Sequence, residues 1–135
     1  MAAIPWKDEY RIDVAVIDQQ HRRLAGLVNE LHETLESKRS SSELRHILHE
    51  LIGFTALHFA TEEELMLKYE YPGYPEHNRE HRMLLGQLHA LATAVSDETG
   101  VGFNSKADLS DDWVTKHLLE SDVQLGRFLN SRGVF

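Results

Sequence analysis

Histidine and carboxylate side chains stand in this sequence at positions where the apolar stripe of a helix would be expected to continue. His58 and Glu62 are four residues apart, as are His77 and His81, so each pair would share one helix face. Because burying such groups without partners is costly, their place among leucines and aromatics predicts that they bind metal ions. The candidate metal ligands are His21, His58, Glu62, His77, His81, His117 and Asp122.

The last two candidates have a spacing that does not place them on one face of a regular α-helix. They are five residues apart, which corresponds to a rotation of about 140°. The apolar arc of that helix, which includes Leu118 and Leu125, lies between the two directions. His117 and Asp122 would therefore border the arc on its two edges and reach the axis of a bundle, whereas Glu120 points off the arc.

The heights of the candidates along their helices can be compared across the predicted loops, because residues at equal height in an antiparallel pair lie symmetrically about the connecting turn. The midpoint between His21 and His58 falls between positions 39 and 40, in the first predicted loop. The midpoint between Glu62 and His81 falls between positions 71 and 72, in the second. That between His81 and His117 is position 99, in the third. The candidates are therefore predicted to form one layer across four helices.

The composition of this layer indicates more than one metal ion. Five imidazoles and two carboxylates exceed the roughly four ligands that one zinc takes. Imidazole and carboxylate without thiolate suit iron, manganese, copper or zinc. If both carboxylates and a solvent-derived oxygen bridge two metals, the histidines divide unequally and one metal keeps an open position. An open position among leucines and aromatics, with no acid–base residue expected nearby, favours binding of oxygen over its transformation.

The surrounding sequence predicts an all-α fold, an up-down-up-down antiparallel four-helix bundle with an irregular N-terminal arm. Asp18 is a good N-cap for the first helix, and Ser40 with Glu43 forms a capping box for the second. Pro72 and Pro75 end the second helix. A single domain over residues 1–135 is expected, with an arm at 1–17 and helices at about 18–38, 41–70, 76–96 and 110–131.

Composition narrows the classes of protein to which the chain could belong. Its 135 residues suffice for one domain. A net charge of −8 argues against sequence-independent binding to nucleic acid. No apolar run is long enough to span a membrane, and the N-terminus lacks the pattern of a secretory signal, so a cytoplasmic location is expected. The absence of cysteine excludes disulfides and thiolate metal sites.

The motifs that carry the candidate ligands resemble those of the hemerythrin family, in its short single-domain bacterial form. The resemblance covers nearly the whole chain and includes Trp6. Its runs are IDQQH at residues 17–21, HFATEE at 58–63, HNREH at 77–81 and WVTKH at 113–117, followed by Asp122. A single pair of histidines four apart would be weak support, but the complete set in order is specific.

The resemblance implies two non-haem iron ions bridged by the carboxylates of Glu62 and Asp122 and by an oxo or hydroxo oxygen. It implies reversible binding of molecular oxygen for storage, delivery or sensing, and no enzymatic activity. His77, His81 and His117 would hold the saturated iron, and His21 and His58 the iron with the open position. The walls of the oxygen pocket would be Leu24, Phe59, Trp113 and Val114.

Two other functions fit the same ligands. One is a di-iron oxidase or peroxidase, although such bundles typically present a carboxylate-rich ligand set and this one is rich in histidine. The other is an iron-responsive interaction module, whose fold would depend on the metal and which would bind a macromolecular partner. The sequence names no reductase or protein recipient.

Overall fold

The computed structural model describes residues 11–36, 41–96 and 117–135, and within these ranges it contains helices and turns but no strand. Three long helices come first: α1 (Ala15–Glu36), α2 (Ser41–Lys68) and α3 (Tyr74–Ser96). A π-helical segment, His117–Asp122, then leads into α4 (Val123–Ser131). The all-helical class predicted from the sequence is confirmed. Positions 1–10 of the predicted arm and 110–116 of the predicted fourth helix lie outside the described residues.

The first helix begins earlier than the sequence predicted, because Asp18 does not act as its N-cap. The backbone N–H of Asp18 donates to the carbonyl of Val14 at 2.9 Å, so the chain is already helical there. The Asp18 carboxylate instead accepts the backbone N–H of Ile12 at 2.8 Å. Asp18 therefore ties the segment before α1 to the helix, and α1 starts at Ala15.

The second helix ends in a Schellman motif. Glu70 adopts a positive φ of 55°, a conformation that residues other than glycine and asparagine rarely take. The N–H of Glu70 donates to the carbonyl of Leu67 at 3.3 Å, and that of Tyr71 to the carbonyl of Met66 at 2.8 Å. This turn directs Tyr71 back towards the bundle and leads directly into α3.

Two apolar clusters lie on either side of the layer of candidate ligands. The first cluster consists of residues that follow His21 on α1, precede His58 on α2 and follow His81 on α3. Its buried members are Leu27, Val28, Leu31, Leu48, Leu51, Leu88 and Leu91. The second contains Ile12, Val14, Ile17, Met66, Leu125 and Leu129. These contacts are the ones expected when consecutive helices alternate in direction. The ligand layer is thereby enclosed by apolar side chains above and below.

The segment before α1 packs closely on α4 at Gly126. A Cβ added to Gly126 would lie 2.6 Å from Cβ of Ile12 and 2.7 Å from its carbonyl oxygen. The side-chain amide of Asn130 also donates to the carbonyl of Asp13 at 3.0 Å. Because α4 directly follows Asp122, these contacts connect the segment before α1 to the helix that begins next to a candidate ligand.

Replacing Gly126 by alanine is expected to destabilise the protein by about 1–3 kcal/mol, because the new methyl group would overlap backbone atoms of Ile12 that cannot move independently. Gly86→Ala on α3 is the matched control, since a Cβ there has no neighbour within 4 Å among the described residues. The control should be neutral or more stable by up to about 1 kcal/mol. Equal urea midpoints for the two variants would contradict the close packing.

Candidate metal centre

The described candidate ligands come from the three long helices and from the π-helical segment, and they are nearly inaccessible to solvent. α1 contributes His21; α2 contributes His58 and Glu62; α3 contributes His77 and His81; and the π-helical segment ends at Asp122. Their exposed fractions range from 0 to 3%. The side chain of His117 lies outside the part of the chain that the structure describes. Six ionisable groups thus share one buried layer between the two apolar clusters.

Glu62 lies at the centre of this layer, and its two oxygens face different histidines. Oε2 lies 3.4 Å from Nε2 of His21 and 3.1 Å from Nε2 of His58. Oε1 lies 3.2 Å from Nε2 of His77 and 3.0 Å from Nε2 of His81. One carboxylate therefore separates the imidazoles into two pairs and offers one oxygen to each.

The two carboxylate oxygens of Asp122 also face different histidines. Its Oδ2 lies 3.0 Å from Nε2 of His21, and its Oδ1 lies 3.0 Å from Nε2 of His77. Two groups of possible metal ligands result, which share both carboxylates, and within each group the ligand atoms lie within 4.8 Å of one another. One group is His21, His58, Glu62 and Asp122; the other is Glu62, His77, His81 and Asp122.

The arrangement of these donor atoms suits coordination of a pair of metal ions better than hydrogen bonding among the side chains themselves. Nε2 of His21 and Oε2 of Glu62 are both buried, and neither makes a hydrogen bond within the described residues. Buried polar atoms without partners are rare in proteins, and metal coordination is one explanation for them. Each group also has the nitrogen and oxygen donors that suit iron.

The backbone before Asp122 differs from the regular α-helix assumed from the sequence. Residues His117–Asp122 form a π-helix, so its hydrogen bonds join residues five apart instead of four. Backbone positions five apart lie nearly above one another in such a helix, whereas in an α-helix they diverge. The rotation of about 140° that an α-helix would give therefore does not apply to this segment, and the two backbone positions are closer in direction than the sequence predicted.

The carboxylates strongly perturb the histidines of the layer. Burial by itself would lower the pKa of His21, but the nearby carboxylates of Asp122 and Glu62 outweigh burial and raise this pKa to about 9. The same balance raises the pKa of His77 to about 9. For Glu62, burial favours the neutral acid, yet the adjacent imidazoles of His58, His21 and His77 hold its pKa well below the ordinary value.

The metal-free protein is therefore expected to lose stability as the pH rises from 6.5 to 9. His21 and His77 have folded-state pKa values of about 9, above the ordinary 6.5, so their contribution is complete below pH 6.5 and disappears as the pH passes through about 9. Glu62 stays charged throughout, because its lowered pKa matters only in acid. Urea denaturation of chelated protein would measure this, and a constant free energy of unfolding would contradict it. The metal-loaded protein, whose imidazoles are unprotonated, should not show the decrease.

A chain of hydrogen bonds fixes which nitrogen of His58 faces the layer. The hydroxyl of Thr61 donates to the carbonyl of Leu57 at 3.0 Å, which leaves its oxygen free to accept the amide of Gln20 at 3.2 Å. The other end of that amide, Oε1 of Gln20, accepts from Nδ1 of His58 at 2.7 Å. Because Nδ1 donates to an amide oxygen, Nε2 is the nitrogen that is left to coordinate a metal.

His81 is oriented by a carboxylate instead of an amide. Its Nδ1 donates to Oε2 of Glu63 at 2.8 Å, so Nε2 is again the nitrogen that is left to coordinate a metal. The ring of Phe59 stacks on that of His81, with centroids 3.7 Å apart and planes at 3°. Sequence reasoning missed Gln20, and it did not distinguish Glu63 from Glu64 and Glu80 as the carboxylate that could orient an imidazole. The signal was present, because Gln20 with His58 and Glu63 with His81 are also symmetric about the predicted turns.

The predicted oxygen pocket is described only in part. Phe59 is buried against His81 and also lies 5.8 Å from the ring of His58. Leu24 is partly buried and packs on the first apolar cluster. Trp113 and Val114 lie outside the described residues.

In the ranges that are described, no helix is long and apolar enough to cross a membrane.

Comparison with known proteins gives the family. A model of the hemerythrin HHE cation binding domain matches residues 13–129. The chain belongs to the hemerythrin family. A bacteriohemerythrin of Stenotrophomonas maltophilia is 31% identical over 90% of this chain and 78% of its own length. That of Methylococcus capsulatus is 29% identical over 97% and 100%, and a myohemerythrin of Sipunculus nudus is 29% identical over 88% of each.

Hemerythrins bind molecular oxygen at a non-haem di-iron centre and are oxygen carriers rather than enzymes. The family and the two groups of buried ligands that share their carboxylates identify the chain as an oxygen-binding di-iron protein. Within this hemerythrin, the layer between the two apolar clusters is compatible with the site of the two irons.

Proposed function

We propose that the two ligand groups hold one iron each and that the unequal supply of histidines leaves one iron open to oxygen. In this assignment Glu62 and Asp122 bridge the irons. His77, His81 and His117 hold the saturated iron, and His21 and His58 hold the open one. When bound, the irons supply the electrons that reversible oxygen binding requires.

The observation that supports this assignment best is the division of the carboxylate oxygens. Glu62 Oε2 faces His21 and His58, while Oε1 faces His77 and His81. A carboxylate that bound a single metal would not need histidines on both of its oxygens. The residues of the layer would thus bind the irons. Gln20 and Glu63 orient His58 and His81 for this role, because they accept the Nδ1 protons on the side away from the metals.

Exclusion of water is the second part of the proposed role. Leu24, Phe59, Trp113 and Val114 would line the oxygen pocket, and the apolar clusters enclose the layer on both sides. A dry environment limits the proton-assisted loss of oxygen in reduced form, which would leave the irons oxidised, and this favours storage, delivery or sensing over turnover. The protein is accordingly proposed to have no enzymatic activity. Its redox partner is unidentified.

The test is a visible spectrum of the reduced protein, recorded without air, after air and after removal of oxygen, together with elemental analysis. We expect two irons per chain and an absorbance band that appears and disappears over repeated cycles. His58→Ala should remove the band, whereas His46→Ala, which changes an exposed histidine outside the layer, should keep it. Continuous oxygen consumption with a reductant would contradict the carrier role and favour the oxidase alternative.

A further inference from the structure

Two histidines of the layer have different partners on the side away from the metals. Nδ1 of His81 donates to the carboxylate of Glu63 at 2.8 Å, and Nδ1 of His58 donates to the neutral amide of Gln20 at 2.7 Å. The two hydrogen bonds have nearly the same length, so they differ mainly in charge. Because the two imidazoles belong to different ligand groups, the difference falls on different metals.

A carboxylate and an amide do not have the same effect on a metal-bound imidazole. A carboxylate that accepts the Nδ1 proton pulls it away from the ring and makes Nε2 the stronger donor. A stronger donor stabilises ferric over ferrous iron, so the reduction potential falls. A neutral amide orients the ring in the same way but shifts the electron density less.

The surroundings of Glu63 allow its charge to act on His81. The His81 side chain is 1% exposed, so solvent does little to screen this contact from the side of the ring, although the carboxylate of Glu63 itself is 29% exposed. Phe59 stacks flat on the ring and keeps it in the plane that the hydrogen bond requires. The hydrogen bond to Glu63 and the stacking of Phe59 therefore hold the His81 ring in one orientation.

We infer that Glu63 is a positioning residue that lowers the reduction potential of the iron held by His81 relative to the iron held by His58, with Gln20 as its neutral counterpart. The inference rests on the proposed ligand assignment and deepens it. The two irons then differ in electronic environment as well as in the number of their histidines. The His81 iron is the one oxidised at lower potential.

The test is an anaerobic redox titration, followed by visible absorbance, of the iron-loaded wild type and three variants. Glu63→Gln keeps an oxygen that can accept from His81 but removes the charge. Glu64→Gln is the matched control, because it makes the same change in net charge at the neighbouring, exposed residue. Gln20→Glu is the reverse change and places a carboxylate on His58. Iron content is measured for every protein.

Glu63→Gln should raise the potential of the lower of the two one-electron steps by about 59 mV, equivalent to a tenfold loss of preference for ferric iron. Gln20→Glu should lower the potential of the higher step by a similar amount and so narrow the difference between the two potentials. Glu64→Gln should have the potentials of the wild type. Potentials of Glu63→Gln equal to those of Glu64→Gln, with both proteins fully loaded, would overturn the inference. So would loss of iron from Glu63→Gln and Gln20→Glu together, which would assign these residues to metal retention. A wild type that does not bind two irons would refute the proposed function itself.

Discussion

Replacement of Glu62 by glutamine is expected to weaken iron binding by more than about 100-fold and to abolish the oxygen-dependent absorbance band. Glu62 is completely buried, and its two oxygens lie within 3.4 Å of Nε2 of four histidines. The amide would keep one oxygen but would turn its NH₂ group towards the histidines on the other side. One of the two ligand groups would then lose its shared donor.

The same substitution should also destabilise the metal-free protein. The raised pKa values of His21 and His77 depend partly on the charge of Glu62, so its removal leaves buried imidazoles with fewer partners. Breaking a buried ion pair on one side typically costs about 3–5 kcal/mol. Iron analysis and urea denaturation measure the two effects separately.

Glu64→Gln is the control for both measurements, since it changes the same charge at an exposed position of the same helix. It should retain the iron content, the absorbance band and the stability of the wild type. If Glu62→Gln retained a full complement of iron, Glu62 could not be the ligand that both irons share, and the proposed assignment would fail.

Leu51→Ala is expected to lower the free energy of unfolding by about 2–5 kcal/mol, the largest effect on stability predicted for a residue outside the ligand layer. Leu51 is completely buried in the first apolar cluster, between side chains of α1 and α3. Its removal leaves a cavity that three helices cannot close without moving. It precedes His58 on α2 by about 10 Å along the helix axis, so folded protein should still bind both irons.

Leu57→Ala provides the comparison, because the same change at an exposed leucine of α2 removes little buried surface; Leu57 is 56% exposed. Its free energy of unfolding should differ from the wild type by less than about 0.5 kcal/mol. Comparable losses in the two variants, measured by urea denaturation, would mean that the first apolar cluster does not stabilise the fold as its burial indicates.

Periodicity and the positions of the loops predicted much of this protein. The spacing of four residues placed His58 with Glu62 and His77 with His81 on one helix face each, and symmetry about the turns placed the candidate ligands at one height. The structure brings His21, His58, Glu62, His77, His81 and Asp122 together in one buried layer. Such predictions are possible because helix geometry is regular, so spacing in sequence converts directly into angle and height.

Local geometry at the ends of helices was predicted less well. Asp18 was expected to cap α1, but its carboxylate binds Ile12 and the helix starts at Ala15. The segment His117–Asp122 was treated as α-helix and is π-helical. The first difference depends on a contact with Ile12 and the second on backbone hydrogen bonds that join residues five apart, and periodicity reports neither of them.

The sequence by itself determined the helical class, the donor types and the height at which they meet, because these follow from residue identity and from the fixed rise and rotation of a helix. Only the tertiary structure decided which oxygen of Glu62 faces which pair of histidines. It also decided that a carboxylate holds His81 while an amide holds His58. These features depend on side-chain rotamers and on hydrogen bonds between helices, and rotamers are set by neighbours that are distant in sequence.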